Sequence, residues 1–245
     1  MLEGKGALVT GGSRGIGRAI VQRLAREGAT VVFCYRGNEL AAAEVAQEVR
    51  AGGGQAYPVR ADLGDAEAVA ELFTQAEKHL SGLDILVNNA AAEFPPTPLA
   101  DLTEEDFDRV MAINSRSVFL SLRHAARHMR DGGRIINIST INTVWPSPGI
   151  AAYAASKGAV EQLTAVAAWE LGVRGITVNT VSPGATDTDL LRSTNPPGVL
   201  ERAAQLSPLG RVGQPTDIAD VVAFLASPDG GWITGQNIRA GGGIR

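Results

Sequence analysis

Tyr153 and Lys157 stand four residues apart in Tyr-Ala-Ala-Ser-Lys, a spacing that puts a phenol and an ammonium on one helix face. A phenol with a pKa of about 10 is a poor acid/base at neutral pH, and a neighbouring cation favours its phenolate. Lowering that pKa by about three pH units takes roughly 4 kcal/mol of differential stabilisation. Taken alone, the pair would also suit an ordinary helix surface. A second stretch, Thr10-Gly11-Gly12-Ser13-Arg14-Gly15-Ile16-Gly17, concentrates glycine where a backbone can turn tightly and approach a ligand. Glycines at 11, 15 and 17 are not the G-x-G-x-x-G spacing of the best-known fingerprint, and no Gly-Lys-Ser/Thr follows, which removes the main support for phosphoryl transfer. A pyrophosphate at the positive end of a helix fits such a turn. The reading is therefore a dinucleotide, whose oxidised nicotinamide would share with Lys157 the task of lowering the Tyr153 pKa.

These residues need elements to hold them. Short apolar runs recur at Gly6 to Thr10, Thr30 to Tyr35, Gln55 to Val59, Asp84 to Val87, Arg134 to Ser139, Ile176 to Val181 and Asn237 to Ala240. Most do not alternate, as expected of strands buried on both faces of a parallel sheet. Helical patterns lie between them, near Gly15 to Glu27, Glu39 to Ala51, Ala66 to Leu80, Thr103 to Met129, Ala151 to Leu171 and Thr216 to Ala226. Strict alternation predicts an α/β fold: a Rossmann-like three-layer α/β/α sandwich around a doubly wound parallel sheet of about seven strands, with the ligand crevice at the carboxyl ends of the strands. The expectation is one dinucleotide-binding and catalytic domain over 1–245. Pro183 to Pro215 escapes the alternation, and a connection that long suits a substrate lid, over 186–212.

With 44% hydrophobic and 20% charged residues the chain has material for one core, and a net charge of −4 without a basic run offers no footprint for nucleic acid. No apolar run approaches a membrane span, and the N-terminus lacks the pattern of a secretion signal. The single cysteine, Cys34, excludes an internal disulfide framework and suits a reducing compartment, so the expected location is the cytoplasm.

The glycine turn, Asp62, Asn88-Asn89-Ala90, Asn114, Tyr153 with Lys157, and Pro183-Gly184 followed by Thr188 occur in one order along the whole chain. In that set the chain resembles the short-chain dehydrogenases/reductases of the compact kind, and among them the 3-oxoacyl-acyl-carrier-protein reductases. The resemblance implies a hydride transfer between NADP(H) and a carbonyl or alcohol, with Tyr153 as proton donor and Lys157 on the nicotinamide ribose. It also implies that Thr140 steadies the substrate oxygen and that Asn114 holds a proton-relay water. Thr140 stands where serine is usual, and Ser139 beside it competes for the role. By the same resemblance the cofactor would be held by Gly11, Ser13, Arg14, Gly15, Ile16, Gly17, Tyr35, Arg36, Asp62, Leu63, Asn88, Ala90, Tyr153, Lys157, Pro183, Gly184, Thr186 and Thr188. The assembly implied is a homotetramer, and the helix from Ala151 to Leu171 carries small or apolar residues on more faces than one sheet can cover.

The cofactor choice can be read from charge. NAD enzymes of this fold place a carboxylate at the tip of the second strand, whereas an arginine there suits the 2′-phosphate of NADP. Here the strand closes Phe33-Cys34-Tyr35-Arg36, and Arg36 with Arg14 can converge on a phosphate. Glu39, the nearest acid, falls where the next helix begins. If both arginines are merely solvated, either cofactor would serve.

Other features are set aside. His124 and His128 have zinc-like spacing without a third ligand, so no metal is expected and both read as solvated positions. Cys34 reads as core filler. Phe94, Trp145 and Ile150 lie in loops leading from strands and are candidate pocket residues. The resemblance to the carrier-protein reductases implies two arginines that help dock an acyl carrier protein: Arg174 matches one position, while the other holds Asp131, with Arg127 and Arg130 nearby as substitutes. The substrate stays open between a carrier-bound acyl chain, a secondary alcohol and a sugar, and a non-catalytic dinucleotide sensor is the rival class.

Overall fold

Seven short strands hydrogen-bond side by side in the computed structural model, which describes residues 1–92, 95–193 and 198–244. The strands are β1 (Gly6–Val9), β2 (Thr30–Tyr35), β3 (Gln55–Arg60), β4 (Ile85–Asn88), β5 (Arg134–Ile138), β6 (Thr177–Pro183) and β7 (Asn237–Ala240). They form one sheet in the order β3-β2-β1-β4-β5-β6-β7, parallel throughout, with the order reversing at β1 and β4. Switch points of this kind leave a crevice at the carboxyl ends of the strands.

Successive strand residues point to opposite faces, and each face is sealed by its own helices. Ala7, Val9, Val31, Phe33, Val87 and Ile136 pack with α1 (Gly15–Arg26), α2 (Glu39–Ala51) and α9 (Pro215–Ala226). Leu8, Val32, Cys34, Leu86, Ile135 and Val178 pack with α3 (Ala66–Glu77), α5 (Ser117–His128) and α6 (Ala151–Leu171). Cys34 is buried, and burial pushes its thiol up to about 11, consistent with its reading as core filler.

Two expectations change. Thr103 to Met129 reads as one helical pattern, but it is α4 (Glu104–Met111) and α5 joined by a π-helical turn at Ala112–Arg116. Single π turns inside helices often sit at functional sites, and this one carries Asn114. His124 is not a solvated position, because its ring stacks on Phe73 with centroids 4.0 Å apart; only His128 is exposed.

The stretch that escapes the alternation contains the short helices α7 (Asp189–Ser193) and α8 (Val199–Leu206). Its base is closed by backbone bonds from Gly213 N to Ala185 O and from Asp187 N to Gly213 O, at 2.9 and 2.8 Å. Residues 194–197 of the expected lid, and Phe94, lie outside the described residues. No described helix is long and apolar enough to cross a membrane.

Candidate active site

The glycine turn closes because its backbone is gripped from the neighbouring strand. Thr10 Oγ1 accepts from the amides of Asn89 and Ala90 at 2.9 and 3.0 Å. Asn89 Nδ2 donates to the carbonyls of Thr10 and Gly11 at 2.9 and 3.0 Å. A Cβ on Gly17 would overlap the Gly11 carbonyl oxygen and lie 2.6 Å from Asn89 Nδ2. Gly15 has φ +52°, and a Cβ there would meet Thr188 Cγ2 at 3.2 Å. The turn is thus a cradle of bare backbone at the start of α1, with Ser13 and Ile16 half-buried beside it and Thr188 above it. Such a cradle accepts a pyrophosphate.

The remaining cofactor candidates line the same crevice. Tyr35 is half-buried and Arg36 exposed at the tip of β2, and Arg14 is exposed at the N-cap of α1. Glu39 is the first residue of α2, behind the cap made by Asn38, so the strand tip carries no acid. Arg60 at the end of β3 donates its Nε to the Arg36 carbonyl at 3.2 Å, a third arginine there. Asp62 accepts from the Gly64 amide at 3.0 Å next to buried Leu63. Pro183 ends β6, and Gly184 hydrogen-bonds Ala240 at 3.0 Å. Thr186 is buried and its hydroxyl donates to the Gly184 carbonyl at 3.0 Å.

Asn88 is the site candidate whose side chain turns away. Its Nδ2 donates to Asn137 Oδ1 at 2.8 Å, and Asn137 Nδ2 donates to Thr164 Oγ1 at 2.8 Å. This chain runs through the interior between the sheet and α6, and Asn88 Oδ1 is buried without a partner among the described residues. Asn88 therefore offers the crevice only its backbone. Asn89, which the sequence reading placed in the Asn88-Asn89-Ala90 segment but not among the cofactor-holding residues, carries the side chain that shapes the turn. The signal was its place in the Asn-Asn-Ala segment directly after a strand.

At the carboxyl end of β5 the chain turns through Thr140 and a 3-10 turn at Ile141–Thr143, then enters α6. Thr140 Oγ1 accepts from the Asn142 amide at 3.3 Å, and the same hydroxyl lies near enough to the Tyr153 phenol to favour its phenolate. Ser139 instead bonds Glu161 Oε1 at 2.7 Å, on the other side of the strand end. The structure thus brings Thr140, not Ser139, to Tyr153.

Lys157 is buried one turn beyond Tyr153, with its ammonium 6.0 Å from the phenol ring centroid. It donates to the Ile138 carbonyl at 2.8 Å, and burial pulls its pKa from 10.5 to about 8. Burial also raises the pKa of the Tyr153 phenol, while the Thr140 hydroxyl draws it partly back. The phenol is therefore not lowered as the spacing suggests, because desolvation dominates its environment. The π-helical turn places Asn114 beneath this pair. Its Oδ1 accepts from the Ala92 amide at 2.8 Å, its Nδ2 donates to Ser156 Oγ at 3.0 Å, and Ser156 Oγ donates to the Tyr153 carbonyl at 2.7 Å. Asn114 is fully buried, and it pins the first turn of α6 to the loop after β4.

Trp145 lies on the outer side of this end, 37% exposed, with the Arg239 guanidinium 5.5 Å above its ring. Ile150 is half-buried and caps α6. The arrangement is a half-buried proton donor with a hydroxyl near it and a buried cation behind it, at the same carboxyl edge of the sheet as the phosphate cradle. Such a site can protonate an oxygen while hydride reaches the adjacent carbon.

Comparison with known proteins agrees with that geometry. A family model described as Enoyl-(Acyl carrier protein) reductase matches residues 11–245. Versicolorin reductase 1 of Aspergillus parasiticus is 44% identical, over 99% of this chain and 97% of its own. Hydroxynaphthalene reductase-like protein Arp2 of Metarhizium brunneum is 42% identical, over 99% and 95%. The crystal structure of a short chain dehydrogenase from Burkholderia cenocepacia in complex with NADP superposes with a TM-score of 0.93 at 40% identity, covering 99% of this chain and 98% of that one.

Proposed function

The chain belongs to the short-chain dehydrogenases/reductases, and from that premise we propose an NADPH-dependent reduction of a ketone carried on a fused-ring scaffold. The observation that carries the reaction is the buried Lys157 ammonium 6.0 Å from the Tyr153 ring centroid, one helix turn behind the phenol, with the Thr140 hydroxyl close by. Bound NADPH supplies the hydride that adds to the carbonyl carbon. Tyr153 gives its proton to the carbonyl oxygen as the alcohol forms, and Thr140 orients that oxygen. Lys157 keeps a cation behind the phenol, and Asn114 holds the helix turn in place. Gly11, Ser13, Arg14, Gly15, Ile16 and Gly17 would receive the pyrophosphate, Tyr35 and Arg36 the adenosine end, and Asp62 and Leu63 the adenine. The backbone of Asn88 and Ala90, with Pro183, Gly184, Thr186 and Thr188, would flank the nicotinamide half.

Two observations favour a free ring ketone over an acyl chain on a carrier protein. Hydroxynaphthalene reductase-like Arp2, 42% identical, is named for a fused-ring substrate, and Trp145, shortly after the 3-10 turn that follows Thr140, leaves part of an aromatic side chain exposed. In addition, two of the arginines a carrier would need are engaged. Arg174 pairs with Asp131 at 2.7 Å and bonds the carbonyls of Ala126 and Met129, while Arg130 holds Asp84 at 3.2 Å. Following NADPH oxidation with 2-tetralone, 1,2-diketones, keto sugars and acetoacetyl thioesters tests this. Tetralone turnover above the thioester is expected; the reverse would return the carrier-protein reading, and NADPH binding without turnover of any would favour a sensor.

The working form proposed is one catalytic domain with a lid over 186–212, located in the cytoplasm and assembled as a homotetramer. Support for assembly is the apolar surface left open by Trp169, Val173 and Trp232, at 88, 90 and 99% exposed. Light scattering should give about four times the 25.5 kDa chain mass; a monomer at micromolar concentration would overturn it.

A further inference from the structure

Glu161 lies on α6 one turn beyond Lys157 and two turns beyond Tyr153, half-buried under the end of β5. A single oxygen of its carboxylate, Oε1, accepts from Ser139 Oγ at 2.7 Å and from Thr143 Oγ1 at 2.8 Å. These two hydroxyls flank Thr140, one residue before it and three after. Each has a second, longer acceptor on the backbone: Ser139 Oγ has the Lys157 carbonyl at 3.4 Å, and Thr143 Oγ1 has the Thr140 carbonyl at 3.1 Å. A hydroxyl has one proton to donate, so the carboxylate holds both hydroxyls away from those alternatives.

We propose that Glu161 is a positioning residue for the reaction: by gripping Ser139 and Thr143 it sets the Thr140 hydroxyl against the Tyr153 phenol and the substrate oxygen. The physical need is plain. Thr140 leaves β5 in an extended conformation and enters a 3-10 turn of three residues, which has few bonds of its own to fix where the hydroxyl points. Glu161 is rooted in the same rigid helix as Tyr153 and Lys157, so its grip references Thr140 directly to its partners. Without it Ser139 and Thr143 keep only their backbone acceptors, and the turn that carries Thr140 loses its side-chain anchor on α6. The small displacements that follow typically cost rate rather than cofactor affinity.

The proposal rests on the reductase reading above, so wild-type protein is measured first: NADPH binding by fluorescence titration and 2-tetralone reduction by NADPH oxidation. A wild type that fails either overturns that reading; the variants judge this one. Glu161→Leu should keep NADPH Kd within about twofold while kcat falls about tenfold. In the alcohol-oxidising direction its pH profile should shift upward, because a misplaced Thr140 no longer draws the phenol pKa down. Glu161→Gln, which keeps an acceptor oxygen, should recover kcat to within about threefold. Thr143→Val, which leaves Glu161 in place and is the safeguard should Glu161→Leu fold poorly, should lose about threefold in kcat at unchanged NADPH affinity. Wild-type kcat in Glu161→Leu and Thr143→Val would overturn the proposal. So would a glutamine variant as impaired as the leucine one, or a loss of NADPH binding in step with kcat.

Discussion

The phosphate cradle and the catalytic end of β5 lie on the same edge of the sheet but are built from opposite materials. The cradle is backbone: glycines with no room for a Cβ, gripped by Thr10 and Asn89 from β1 and β4. The catalytic end is side chain: Thr140, Tyr153, Lys157, Asn114 and Ser156, each fixed by another side chain or by one carbonyl. A backbone site fails when atoms are added, whereas a side-chain site fails when atoms are removed. The two halves should therefore separate cleanly under mutation.

The largest effect is expected from a removal. Tyr153→Phe deletes the proton donor and almost no volume, so turnover should fall about 10³-fold while NADPH affinity stays within about twofold. Near-normal turnover in that variant would remove Tyr153 from the reaction.

Lys157→Met sharpens the contrast, because it should cost activity and add stability. The folded protein holds this ammonium at a pKa of about 8 against 10.5, which corresponds to a folding cost of up to about 3 kcal/mol near pH 7. The sign follows from proton binding: between about pH 8 and 10.5 the unfolded chain binds more protons than the folded one, so wild-type stability should rise with pH there. Methionine carries no such burden. Its stability should exceed wild type below pH 8, and the margin should close as pH climbs toward 10.5; urea unfolding at pH 7 and 9.5 measures both. A variant less stable than wild type at pH 7 would contradict this account of Lys157.

An addition should break the other half. Gly17→Ala pushes a methyl into the Gly11 carbonyl and Asn89, and overpacking of this kind costs about 1–3 kcal/mol. NADPH Kd should rise by more than about tenfold, with Tyr153 and its neighbours unchanged. Tight NADPH binding in Gly17→Ala would show that the cradle yields more readily than its contacts imply.

The smallest effect concerns cofactor choice. Arg36→Ala should lower the ratio of kcat/KM for NADPH over NADH by about tenfold, the scale of one charge-assisted contact. The remainder would fall to Arg14 and Arg60. An NADH preference in the wild type, or an unchanged ratio in the variant, would exclude Arg36 as the phosphate reader.

Much of this was legible in the residues themselves. Apolar runs without alternation, spaced by helical patterns, dictate a parallel sheet covered on both faces, because buried strands can afford no polar side. Gly15 and Gly17 announced a cradle, since only a residue without a Cβ fits there, and Tyr153 with Lys157 announced a shared helix face. What periodicity does not carry is where hydrogen bonds end. A π turn at Ala112–Arg116 looks like continuous helix in sequence, because one extra residue per turn leaves the apolar pattern nearly intact. Ser139 and Thr140 are chemically equivalent as neighbours, and only the pleat, together with Glu161 waiting twenty-two residues away, turns one toward the helix and the other toward the phenol. Asn88 and Asn89 were separated in the same way, one sent into the interior and the other onto the glycine turn. The sequence determined which groups could do chemistry and on which elements they ride. Their direction was decided by the tertiary structure, because a side chain's aim depends on partners that lie far away along the chain.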